Sequence, residues 1–174
     1  RRRGLPLMGE PMNDAVTIRL AKENMKFSAA HFTVFSAHER ERLHGHNFRV
    51  EADIEARMLG NGMCFDYGIY KDRIVALCRE LNEWTILPTQ SPYLRIEEDG
   101  EHVFALFDGT RIPFLRADVL LMPIANATLE EFAAWFLGRL GEDRDALRAH
   151  RIDAIEVRVF SGPGQSAGRR ATFA

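Results

Sequence analysis

The sequence predicts an α+β domain, an antiparallel sheet with two helices on one face and an extra β segment between them. Three patterns carry this expectation. Residues 44–57 alternate strictly, with Phe48, Val50, Ala52, Ile54 and Ala56 on one side and Arg49, Glu51, Asp53, Glu55 and Arg57 on the other. That is the period of a half-buried strand. Residues 66–82 and 128–140 instead repeat apolar side chains at helical spacing. Alternation then returns at Ile155, Val157 and Val159, so the helices fall between strands and segregate to one face.

Taken in order, the opening Arg1-Arg2-Arg3-Gly4 is set aside. Residues 1–14 are expected to be a disordered arm or an expression remnant, and 15–174 a single domain. Val16, Ile18 and Leu20 alternate on even numbers, whereas Met25, Phe27, Ala29 and His31 alternate on odd ones. A bulge or turn near 21–24 must reconcile the two. Leu59-Gly60-Asn61-Gly62 reads as a turn and Met63-Cys64-Phe65 as a short buried strand. Asp66 is expected to cap a helix reaching Asn82, with Ile69, Tyr70, Ile74, Leu77, Cys78 and Leu81 inward. Thr128-Leu129-Glu130-Glu131 fits a capping box. Leu129, Phe132, Ala133, Phe136, Leu137 and Leu140 form the second helix's buried face, and Gly141 ends it. Between the helices, Leu94–Glu97 and His102–Phe107 flank Glu98-Asp99-Gly100, and Asp108-Gly109 supplies another turn. Residues 90–120 are therefore a β insert.

Composition narrows the function. The 174 residues carry a net charge of −2, which argues against nucleic acid or an anionic membrane as the main partner. No apolar run is long enough to span a bilayer. Cys64 and Cys78 form no disulfide framework, and a reducing, cytoplasmic setting is expected.

His44 and His46 share the parity of the apolar set and face inward, about 6–7 Å apart along a strand. That separation suits two ligands of one zinc, although such a pair taken alone is more often a core or surface feature. His31 ends a second inward-facing alternation. Three histidines without a fourth protein ligand describe an open site of the catalytic kind, since structural zinc is closed by four. His38, His102 and His150 lie outside the pattern, and only His38 is near enough in sequence to compete.

Three blocks, Phe27-Ser28-Ala29-Ala30-His31, Leu43-His44-Gly45-His46-Asn47-Phe48 and Gly62-Met63-Cys64-Phe65-Asp66-Tyr67, resemble the 6-pyruvoyl- and 6-carboxytetrahydropterin synthases. Asn126-Ala127-Thr128-Leu129-Glu130 is similar to the family segment that opens the second helix. The resemblance covers residues 15–162, with 90–120 longer than in compact members. It implies zinc on His31, His44 and His46. It also implies the tunnelling fold, in which two-helix, four-strand subunits assemble around a pore, usually as a hexamer of two trimers with sites between subunits.

The chain departs from the family pattern in places. Where the family carries a cysteine, this chain has Glu39-Arg40-Glu41-Arg42-Leu43. Glu41 stands three residues before His44, as in a subgroup that cleaves the dihydroneopterin side chain to 6-hydroxymethyl-dihydropterin. It is either a proton carrier or a loop residue paired with Arg40 or Arg42. Asn82-Glu83 replaces the family's Asp-His pair, which makes Glu83 a second catalytic candidate. The family's terminal pterin-gripping Glu falls at Ser161, in a Gly/Pro segment that is either a plain turn or a rebuilt substrate loop. The resemblance implies substrate binding at Thr128 and Glu130, the alternative for Glu130 being a bare acidic residue at a helix start. The expected protein is a zinc-dependent lyase acting on a dihydroneopterin or its triphosphate. The alternatives are a zinc- and pterin- or purine-binding homolog without turnover, and a zinc enzyme acting on an unrelated small molecule.

Overall fold

A computed structural model describes residues 14–173, and its centre is the strand that the alternation of 44–57 predicts. The strands are β1 (Ala15–Leu20), β2 (Lys26–His31), β3 (His44–Arg57), β4 (Trp84–Pro88), β5 (Arg95–Asp99), β6 (His102–Phe107), β7 (Thr110–Leu115), β8 (Val119–Met122), β9 (Ile152–Gly162) and β10 (Gln165–Thr172). The helices are α1 (Gly68–Leu81), α2 (Leu129–Leu140) and α3 (Arg144–Ala149). The first thirteen residues of the expected arm lie outside the described residues. Asp14 is tied down, its carbonyl accepting the Met58 N–H at 2.8 Å.

The main sheet is larger than the four antiparallel strands expected. Among the described residues it has seven, in the order β10-β9-β3-β2-β4-β8, with β1 also on β3. It is mixed, because β4 pairs parallel with β2 and β8 parallel with β4. Parallel neighbours need a long crossover. β3 and α1 carry the chain from β2 to β4, and the insert carries it from β4 to β8. The insert is a separate three-stranded sheet, β5-β6-β7. Its Asp108-Gly109 turn has both residues at positive φ, 45° and 73°, as a tight hairpin of this twist requires.

The change of parity between β1 and β2 is resolved on β3. Both strands run antiparallel to β3, β1 along its C-terminal half and β2 along its N-terminal half. Between Leu20 opposite Ala52 and Lys26 opposite Arg49, six steps on one side face three on the other. The odd surplus flips the parity, so Leu20 and Met25 both reach the core.

Several expectations are corrected. Met63-Cys64-Phe65 forms no strand, and Met63 is 55% exposed. Asp66 accepts the Gly68 N–H at 2.9 Å, so the helix opens at Gly68 with Tyr67 as its cap. Ile69 is 53% exposed, and Val75 joins the buried stripe instead. Thr128 caps α2 by accepting the Glu131 N–H at 3.4 Å. Glu131 does not close the capping box; its carboxylate accepts from Ala125 N at 2.8 Å. The Gly162-Pro163-Gly164 segment is not a terminal turn, because the chain doubles back as β10.

α1 and α2 share one core with the sheet, including Phe27, Phe48, Ile74, Phe132 and Phe136. A second core joins Phe32 and Val34 to Leu94, Val103, Ala105 and Phe107 of the insert region. No helix among the described residues is long and apolar enough to cross a membrane. Cys78 is 1% exposed in the first core, and burial pushes its thiol up to about 12. The folded protein should therefore offer a disulfide reagent one thiol, the partly exposed Cys64, and two after denaturation. Rapid native reaction of both would contradict this packing.

Candidate metal centre

The register of β2 on β3 places His31 directly opposite His44 and Ala29 opposite His46, so the three imidazoles meet across the strand pair. Their ring centroids lie 4.7 Å (31–44), 5.4 Å (31–46) and 4.9 Å (44–46) apart. The available ligand atoms all fall within 4.8 Å of one another. Phe48 and Phe132 pack against His31.

Backbone carbonyls choose the tautomers. His31 Nδ1 lies 2.7 Å from Ala127 O, and His44 Nδ1 2.7 Å from Arg42 O. A carbonyl only accepts, so each Nδ1 carries the proton and each Nε2 presents a lone pair. Burial pushes the His31 pKa down; the Ala127 contact opposes this, and His44 and His46 reinforce it. His31 is 6% exposed, and its Nε2 is buried with no hydrogen-bond partner among the described residues. A buried lone pair left unmatched is costly, and a zinc ion held by neutral imidazoles would satisfy it. The three residues fit the metal.

Glu41 stands beside them. Residues 33–41 form a small hairpin in which Glu41 N donates to Thr33 O at 2.8 Å and Thr33 N donates to Glu41 Oε2 at 3.0 Å. Oε2 lies 3.8 Å from His44 Nε2. Burial alone would raise the Glu41 pKa, but the Thr33 hydrogen bonds, with His44 and His31, bring it below the usual carboxylate value. Arg40 donates to the Glu41 carbonyl, at 2.8 Å, rather than to its carboxylate.

A cavity of about 570 Å³ is lined by the three histidines, Glu41, Thr128 and Glu130, and by Ser161 and Gln165 at the adjoining ends of β9 and β10. Glu83 lies elsewhere. It is exposed, sits at φ 66° and lines a neighbouring cleft of about 490 Å³ with Ser28, Asn47 and Asp118. Among the described residues only His46 borders both spaces. His38 does not compete as a ligand; its Nδ1 lies 2.9 Å from Asp108. A larger cavity of about 780 Å³, along the insert, shares no residue with the histidine site.

Sequence reasoning missed Thr33, and it named Asn126 only as part of the segment that opens the second helix, without its role. Asn126 Nδ2 donates to Val34 O at 2.7 Å, and its Oδ1 accepts from Val34 N at 3.1 Å. Its partner is 92 residues away, so no local pattern announces it. Ser161 and Gln165 were open to either reading, and their place on the cavity wall is what the Gly/Pro turn produces.

Residues 19–171 match the model of the family described as 6-pyruvoyl tetrahydropterin synthase. The chain belongs to this family. A putative 6-carboxy-5,6,7,8-tetrahydropterin synthase of Methanocaldococcus jannaschii is 27% identical over 144 residues, 82% of this chain and 88% of that protein. Among solved structures, the 6-pyruvoyl tetrahydropterin synthase of Plasmodium vivax is 28% identical with a TM-score of 0.86, covering 92% of this chain and 99% of its own. The Plasmodium falciparum synthase gives 27% and 0.87 over the same shares. Two further P. vivax structures carry alanine or cysteine in place of a glutamate described as a catalytic residue. The fold is the tunnelling fold. This member's sheet is larger than the four strands expected, and neither Cys64 nor Cys78 lines the histidine cavity.

Purified protein should hold about one zinc per chain, as read by elemental analysis. His31→Ala and His44→Ala should each lose most of it, and Glu83→Gln should keep it. Full zinc content in His44→Ala would rule out this ligand set.

Proposed function

We propose that the protein is a zinc-dependent lyase acting on the side chain of a dihydroneopterin or its triphosphate, with cleavage to 6-hydroxymethyl-dihydropterin the favoured reaction. The observation that carries this reading is the unpartnered His31 Nε2 among three histidines, with a carboxylate 3.8 Å from His44 Nε2. Zinc bound there supplies a Lewis acid for negative charge developing on the side-chain oxygens.

The chain's own residues do the rest. Glu41, held ionised by the Thr33 hydrogen bonds and the neighbouring histidines, accepts and returns a proton at its carboxylate. The Thr33 N–H fixes one carboxylate oxygen, so the transfer starts from a set position. Glu130, exposed on the cavity wall, accepts hydrogen bonds from the guanidine-like edge of a pterin ring, and Thr128 borders the same wall. A glutamate described as catalytic in the P. vivax relative supports carboxylate chemistry in a site without a cysteine. Glu83 enters only through assembly, since its cleft meets the histidine cavity at His46 and the resemblance implies sites between subunits. Two free cysteines suit a cytoplasmic setting.

A product screen with dihydroneopterin and its triphosphate tests the reading. Glu41→Gln should keep zinc and lower turnover by about 10²-fold or more, whereas the exposed Glu39 should tolerate Gln. If wild type turns over neither compound, the binding-homolog reading replaces this one. Assembly is tested separately. Among the described residues the sheet ends at β8 and β10, and open edges call for cover. Light scattering should report a multiple of three chains, six being expected, and a stable monomer would contradict it.

A further inference from the structure

The three-stranded insert has no part in the chemistry above, yet it contacts the segment that carries Glu41 in three separate ways. First, Phe32 and Val34, which flank Thr33, are buried in one cluster with Val103, Ala105 and Phe107 of β6. Second, the Arg40 guanidinium lies 5.1 Å from the Phe32 ring centroid and 5.7 Å from that of Phe107, while its Nη1 donates to Glu41 O. Third, His38 at the hairpin tip meets Asp108 of the β6–β7 turn at 2.9 Å.

We infer that the insert is a brace for the active-site hairpin: through Arg40, held against Phe32 and Phe107, it positions the Glu41 carboxylate on the Thr33 N–H and against His44. The catalytic meaning of this positioning rests on the proposed role of Glu41. A short hairpin with a polar tip would otherwise open readily, and a carboxylate displaced by an ångström transfers protons poorly. A guanidinium lying over two aromatic rings is planar and always charged, so it fixes the direction of its bond to the Glu41 carbonyl. Asn126 clamps Val34 from the α2 side. Losing Arg40 therefore loosens the 39–41 arm while the 32–34 arm stays in place.

The test is amide hydrogen exchange at Thr33 in the zinc-loaded, full-length protein, because that N–H is donated to the Glu41 carboxylate. In Arg40→Met, which keeps the stem and removes the guanidinium, Thr33 should exchange about tenfold faster, while Val50 in β3 keeps its rate. Asp108→Gly removes the contact with His38 and accepts the positive φ of 45° at that position. It should shift Thr33 exchange in the same direction by a smaller factor, and it decides the matter alone if Arg40→Met does not fold. Wild-type Thr33 exchange in the folded variants would overturn the brace.

Turnover supplies the second reading. With whichever compound wild type accepts, Arg40→Met should lower kcat about tenfold at unchanged KM and have no further effect in a Glu41→Gln background. A further full loss in that double variant would show that Arg40 does not act through Glu41, and would overturn the inference. If Glu41→Gln keeps wild-type turnover, the proton-carrier reading fails, and Thr33 exchange still decides whether the insert braces the hairpin.

Discussion

The pairing of β2 with β3 in a single register sets His31 opposite His44, and the rest of the site follows from it. On β3 the same alternation that buries Phe48, Val50, Ala52, Ile54 and Ala56 turns His44 and His46 inward. A slip of one residue would send that whole set to the other face of the sheet. The apolar core therefore holds the histidine geometry, with no need for a separate device to aim each ring. What remains is fine orientation, and two backbone carbonyls, Ala127 and Arg42, provide it.

Two cores divide the work. The larger one carries the sheet, α1 and α2, and reaches the site through Phe48 and Phe132. The smaller one joins the insert to the residues on either side of Thr33. Histidine placement thus depends on the first core and carboxylate placement on the second. The two meet at His44, between its strand partner His31 and Glu41.

How much of this was legible in the sequence depended on whether the pattern was local. The histidine parity, the capping of α2 by Thr128 and the insert's turns all rest on residues a few positions apart, and all three appear as expected. Met63-Cys64-Phe65 misled because an apolar run after a turn looks like a strand even when, among the described residues, no strand pairs with it. β4 and β8 are short parallel runs with no alternation to mark them. β10 exposes most of its residues, Arg169 and Arg170 among them, and has no apolar stripe to detect. α3, at six residues, is too short for a period to emerge. Asn126 and Thr33 matter through partners elsewhere in the chain, which composition and spacing do not register.

The surplus between Leu20 and Lys26 has a consequence for how the N-terminal line of the sheet tolerates change. β1 and β2 lie end to end along one neighbour, in opposite phase. One residue more or less in 21–25 would invert β1 without turning any histidine. Two would slide β1 by two residues and keep its inner side inner. The irregularity works as a phase adjuster that insulates the metal-bearing half of the line from drift in length upstream.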